Sequence, residues 1–181
     1  WRSWLKRVLP RVDIFLPSCD EILFMLDRPT FERMDRAGDL TPSHELLTRL
    51  ADELLAMGTA VAVLKLGDIG LYMKTSGDMA RLRAMGKGKP GDLEAWQGVE
   101  LYVPCFQCDV VGTTGAGDCT IAGFLAGLSK DLSPQEVMTM AVAVGGFNVE
   151  STDATSSIPH WDAVLKRVNG GWKKHPPHYS L

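Results

Sequence analysis

Apolar residues recur along this chain in two rhythms, one helical and one of strand type, and the two alternate. Trp4, Leu5, Val8 and Leu9 share a helical face within residues 2–9, and Pro10 ends that helix. Residues 12–16 are a short apolar run of strand type. Ser18 followed three residues later by Glu21 matches a capping box, so a helix begins there and carries Ile22 to Leu26. Thr41 as cap and Pro42 at the first helical position open another helix, running to about Met57. Residues 60–66 form a β-rich apolar stretch that suits a strand buried on both faces. Gly67-Asp-Ile-Gly70 turns the chain, and residues 71–75 make the returning strand. Residues 76–98 are rich in glycine and charge and predict a mobile surface excursion without assigned structure.

A strand over residues 99–104 follows, then a glycine turn, then an apolar helix from about Ala116 to Leu128. Ser133-Pro-Gln-Glu136 caps a helix that runs to about Val149. A last helix starts near Pro159, with Trp161, Val164, Leu165 and Val168 on one side. Strands separated by helices predict an α/β layer structure with a mostly parallel sheet. In such sheets ligands bind beyond the carboxyl ends of the strands, so the turns at 67–70 and 112–117 are expected at one edge. There is no internal repeat and no interior domain boundary, and residues 171–181 read as a tail.

Composition narrows the field. Of the 181 residues, 45% are hydrophobic and 23% charged, with a formal net charge of −3. That balance argues against nucleic acid or an anionic membrane surface as the main partner. No apolar run approaches the roughly 20 residues needed to span a bilayer. Residues 1–7 are amphipathic and lack the apolar core of a signal peptide, and the opening on Trp1 rather than Met suggests sequence upstream. Cys19, Cys105, Cys108 and Cys119 are dispersed, which favours reduced thiols in a cytoplasm. Cys105 and Cys108 form a lone Cys-x-x-Cys in an apparent strand, where positions three apart face opposite sides; small buried residues are the expectation. His175 and His178 lie in a Pro-rich stretch that reads as a loose end.

Thr113-Thr-Gly-Ala-Gly-Asp118 and the small-residue helix after it carry the chemistry. Glycines let backbone N–H groups approach a ligand, and a helix start adds unpaired donors and the positive end of its dipole. Together they make an anion site suited to a phosphate. Asp118 at its floor reads either as a helix cap or as a general base for an attacking hydroxyl. The pattern is neither the Walker motif nor the dinucleotide fingerprint, since the Lys-Ser/Thr ending is absent and the glycine spacing differs.

Residues 111–128 resemble the second signature of the PfkB/ribokinase family of carbohydrate kinases. Asp13–Glu21, Val61–Gly70 and Ala141–Ile158 agree with that family in order and spacing. The resemblance covers most of residues 1–170 and implies a ribokinase-like three-layer sandwich, with the N-terminal sugar-binding half and its lid not present before Trp1. It implies ATP-dependent phosphorylation of a sugar or related small alcohol, assisted by Mg2+, in a cytoplasmic protein; a homodimer is among the assemblies it allows. Asp118 matches the catalytic base, and Thr114, Gly115, Ala116 and Gly117 match the anion hole. Lys65, Gly67, Gly70 and Asn148 match the nucleotide side, and Glu21 matches the acidic residue that orients Mg2+ through water. Lys65 reads equally as a solvated strand end, Glu21 as the capping partner of Ser18, and Asn148 as a helix terminus. Gly112 and Ser18 depart from the family's Asp and Asn. The alternative is a non-catalytic nucleotide-binding remnant of such a kinase.

Overall fold

The computed structural model describes residues 1–181, and its organising element is a short strand buried along nearly its whole length. This is β2 (Val61–Lys65), the second of four strands in one sheet of order β1-β2-β3-β4. The others are β1 (Ile14–Phe15), β3 (Gly70–Thr75) and β4 (Glu100–Pro104). Because strand side chains alternate, Val61 and Val63 face one layer while Ala62 and Leu64 face the other. On one side Ala62, Leu64 and Tyr72 pack with leucines of α1 (Arg2–Val8), α2 (Cys19–Leu26) and α4 (His44–Ala56). On the other, Val61, Val63, Leu71, Met73 and Val103 meet α6 (Ala116–Ser129), α7 (Pro134–Val149) and α8 (Trp161–Asn169). Two helical layers around a sheet are the three-layer α/β architecture expected.

The sheet itself corrects the expectation of mostly parallel strands. β1 and β2 are parallel, but β2 with β3 and β3 with β4 are antiparallel. The β2–β3 return follows from connection length, as expected for residues 71–75: residues 66–69 are too few for a crossover, which needs about a dozen. The antiparallel β3–β4 pairing is what departs from the expectation. Gly70 permits the β2–β3 return at φ +141, where a Cβ would collide with the Val103 carbonyl oxygen and lie 2.9 Å from the Pro104 Cα.

Other boundaries moved for local reasons. The helix expected to open at Thr41 starts at His44, because Ser43 supplies the cap, its Oγ accepting from the Leu46 N–H at 3.2 Å. Trp4 is exposed, and Leu5 and Leu9 carry the buried face of the first helix and the 3-10 turn after it (Leu9–Arg11). A helix with no buried residue, α3 (Arg28–Ala37), was not anticipated; Asp27 caps it. Residues 76–98 are not a loose excursion either. They hold the short helix α5 (Met79–Arg83), and Leu82, Met85 and Trp96 are buried in the larger core cluster.

Helices α6 and α7 pack tightly against each other. A side chain at Gly123 would sit 2.9 Å from the Met140 carbonyl oxygen and from Val144, so glycine there sets how near the two backbones lie. No helix is long and apolar enough to cross a membrane.

Candidate active site

Both glycine turns do meet at one edge of the sheet, around a cavity of about 660 Å³. One end is built by Ser18, Lys65, Gly67, Thr113, Ala116 and Gly117. Ser18 bridges Lys65 across the parallel β1–β2 side, and the Lys65 N–H donates to the Pro17 carbonyl at 3.0 Å, so the start of α2 abuts the end of β2. The Lys65 ammonium reaches over the sheet edge to the start of α6: Nζ lies 3.2 Å from where a Cβ on Gly117 would be. It makes no ion pair with any carboxylate.

The turn before α6 depends on Gly115, which caps the helix at φ +80 with no side-chain cap bond. A Cβ there would fall 2.7 Å from that of Ala154, so both conformation and space demand glycine. The N–H groups of Gly115, Gly117 and Asp118 have no partner in the chain, whereas that of Ala116 donates to the Thr113 carbonyl at 3.2 Å. Unpaired donors at a helix start beside a free ammonium can hold a phosphate-sized anion. Asp118 sits in the first turn of α6, exposed and without any hydrogen bond, so it does not cap the helix.

The sequence-predicted residues divide accordingly. Lys65, Gly67, Gly70, Ala116 and Gly117 line the cavity, with Gly115 and Asp118 adjoining it. Thr114 is exposed outside the lining, and Thr113 takes its place. Glu21 is exposed at the start of α2, its Oε2 accepting from the Ser18 N–H at 3.4 Å. Asn148 is fully buried and does not line the cavity. Its Nδ2 donates to the Asp153 and Ala154 carbonyls, at 3.3 and 3.0 Å, and so holds the 150–158 loop against Gly115. Gly112 also has a packing reason: a Cβ there would lie 2.8 Å from the Ser151 carbonyl oxygen.

The rest of the cavity lining was not foreseen. Cys105, Phe106, Cys108 and His175 form one wall, and Val142, Gly145, Gly146 and Val149 of α7 form the other. The strand ends at Pro104, so the alternation that would turn Cys105 and Cys108 to opposite sides no longer applies, and both reach the cavity. Burial pushes each thiol up to about 11, leaving both neutral at physiological pH and weak as nucleophiles. The glycine pair within an apolar helix was the one local signal for this wall.

A mixed sheet between helical layers, with a lysine and a glycine-bordered helix start at its edge, defines an α/β protein. The chain belongs to the pfkB family carbohydrate kinases, whose model matches residues 1–161. It is 24% identical over 163 residues to an ATP-dependent 6-phosphofructokinase of Thermoanaerobacterium thermosaccharolyticum, covering 90% of this chain and 39% of that protein. It is 30% identical over 83 residues to a nucleoside kinase of Methanocaldococcus jannaschii, covering 45% of this chain and 28% of that one. The fold is similar to that of the aminoimidazole riboside kinase of Salmonella enterica, solved with aminoimidazole riboside and an ATP analogue. Its TM-score is 0.62 at 22% identity, over 91% of this chain and 45% of that one. The chain thus spans less than half the length of each of these relatives.

Proposed function

We propose that this chain carries the nucleotide and phosphoryl-transfer side of an ATP-dependent kinase acting on a sugar or related small alcohol. The carrying observation is Lys65, a cation without an acidic partner, set against the unpaired amides of the α6 start inside a cavity of nucleotide size. The γ-phosphoryl group would sit on the Gly115, Gly117 and Asp118 amides, which stabilise charge as the group transfers. Asp118, exposed and unpaired beside them, would accept the proton of the attacking hydroxyl. Mg2+ fits this donor set, since it keeps water and substrate phosphates as most of its ligands and needs only one or two carboxylates. Glu21 has an oxygen without a partner and would hold the ion through water; the ion supplies charge neutralisation on the phosphates.

A second reading, nucleotide binding without turnover, is favoured for these residues alone by the exposure of Asp118. A base acts only on an acceptor held against it, and that orientation is worth several kcal/mol of barrier, about 7–11 at most.

Lys65→Ala should weaken ADP and ATP binding roughly 10- to 100-fold, the loss expected for a charged hydrogen bond to phosphate. Adenosine binding should barely change. Calorimetric titration of the 181-residue chain measures both. Equal nucleotide affinity in the variant would place the phosphates elsewhere.

A further inference from the structure

We infer that segment 171–181 is an integral part of the nucleotide site, and that His175 recognises the base end of the nucleotide. This rests on the nucleotide-binding reading above. The segment, expected to be a loose end, is laced along residues 105–108. The Gln107 N–H donates to the Lys173 carbonyl at 2.8 Å, and the His175 N–H donates to the Cys105 carbonyl at 2.9 Å. The Trp172 indole N–H donates to the Gln107 carbonyl at 2.8 Å. Phe106 and Lys174 form an antiparallel bridge, so the strap extends the sheet edge beyond the end of β4.

Side chains lock the same register. Trp172 stacks on Phe106 with ring centroids 4.4 Å apart. The Arg167 guanidinium lies 3.6 Å from the Trp172 ring centroid and is itself held by two bonds to Glu150, at 2.6 and 2.7 Å. Further along, the Tyr179 hydroxyl donates to the Pro42 carbonyl at 2.7 Å. His175 is therefore delivered to the cavity wall by a fixed backbone, with its ring exposed.

Position gives the ring its role. Cys105, whose carbonyl accepts the His175 N–H, donates its thiol to the Gly67 carbonyl at 3.6 Å, so the strap borders the cavity that Lys65 and Gly67 also line. With phosphates at Lys65 and the α6 start, the rest of the ligand falls along the remaining lining, which includes His175, Cys105, Cys108 and the Gly145–Gly146 backbone. There is no space for a side chain on Gly146, where a Cβ would lie 3.0 Å from the Trp172 ring and 3.1 Å from Cys108 Sγ. The planar imidazole and the bare glycine backbone share the cavity lining, an arrangement suited to stacking on or hydrogen-bonding a planar heterocycle.

The test is His175→Ala in the 181-residue chain, titrated with ADP and separately with inorganic tripolyphosphate. An exposed ring contributes little to folding, so the melting temperature should hold and confirm an intact variant. ADP affinity should fall about fivefold, one ordinary hydrogen bond or stacking contact, while tripolyphosphate affinity stays within about twofold. Unchanged ADP affinity overturns the inference, and so does an equal loss for both ligands, which would put His175 at the phosphate end. If the unsubstituted chain binds neither ligand, the failure lies in the nucleotide-site reading itself, and this assignment falls with it.

Discussion

Asp118→Asn should lower phosphoryl transfer by ~10²–10⁴-fold while leaving nucleotide affinity nearly intact, the penalty for losing a positioned general base. The amide keeps the shape of the side chain and loses only its capacity to take the hydroxyl proton. Asp118 makes no hydrogen bond and caps nothing in the structure, so the substitution has no structural contact to break. Any loss of turnover would therefore belong to the chemistry. Removing a negative charge beside bound phosphates should, if anything, tighten nucleotide binding slightly. Steady-state turnover of a sugar panel by the two forms, in the longest natural chain that contains these residues, provides the measurement. Near-normal turnover by the Asn variant would contradict the role assigned to Asp118.

Trp96→Ala should cost about 3–5 kcal/mol of folding stability, the range for emptying a large aromatic site in a core. Trp96 is 1% exposed and meets the buried Phe124 of α6 edge-on, with centroids 6.3 Å apart. Its carbonyl also accepts the Thr75 hydroxyl, which ties the 76–98 segment to the end of β3. That backbone bond survives in alanine, so the loss measured is that of the ring. Domains of this size are stable by only about 5–15 kcal/mol, and the variant should be partly unfolded at modest urea concentrations. A shift below about 1 kcal/mol in chemical denaturation would mean that residues 76–98 are the peripheral excursion their composition suggests.

That contrast shows where the sequence is legible. Ser133 and Glu136 mark the start of α7 because a capping box is a local device, complete within four residues, and the observed helix begins there with both bonds formed. Gly115 and the Gly67–Gly70 turn are equally readable, since positive φ is a local demand. Trp96 is not, because its burial depends on α6, which follows it in the chain. The returning strand at 71–75 was legible from its short turn, but the sheet as a whole was misjudged, because β4 also lies antiparallel, beside β3, across the long 76–99 connection. His175 and the thiol wall were hidden for the same reason as Trp96: a Pro-rich stretch looks loose until Phe106 and Arg167 are known to grip Trp172. Asn148 was marked on the right loop for a different job. It orders the chain behind Gly115 rather than facing the cavity.

The central claim is that the start of α6 and Lys65 together bind the phosphates of a nucleotide. Titrating the isotopically labelled chain with Mg2+ and ADP, while following its backbone amide resonances, tests this most directly. The account predicts saturable shifts at Gly115, Gly117 and Asp118, whose N–H groups are unpaired in the free chain, with smaller shifts at Gly67, Gly145 and Gly146 along the cavity. Amides of α6 that remain unmoved at millimolar nucleotide, or shifts confined to the distant Arg33–Arg49 hollow on the α3–α4 side, would contradict it.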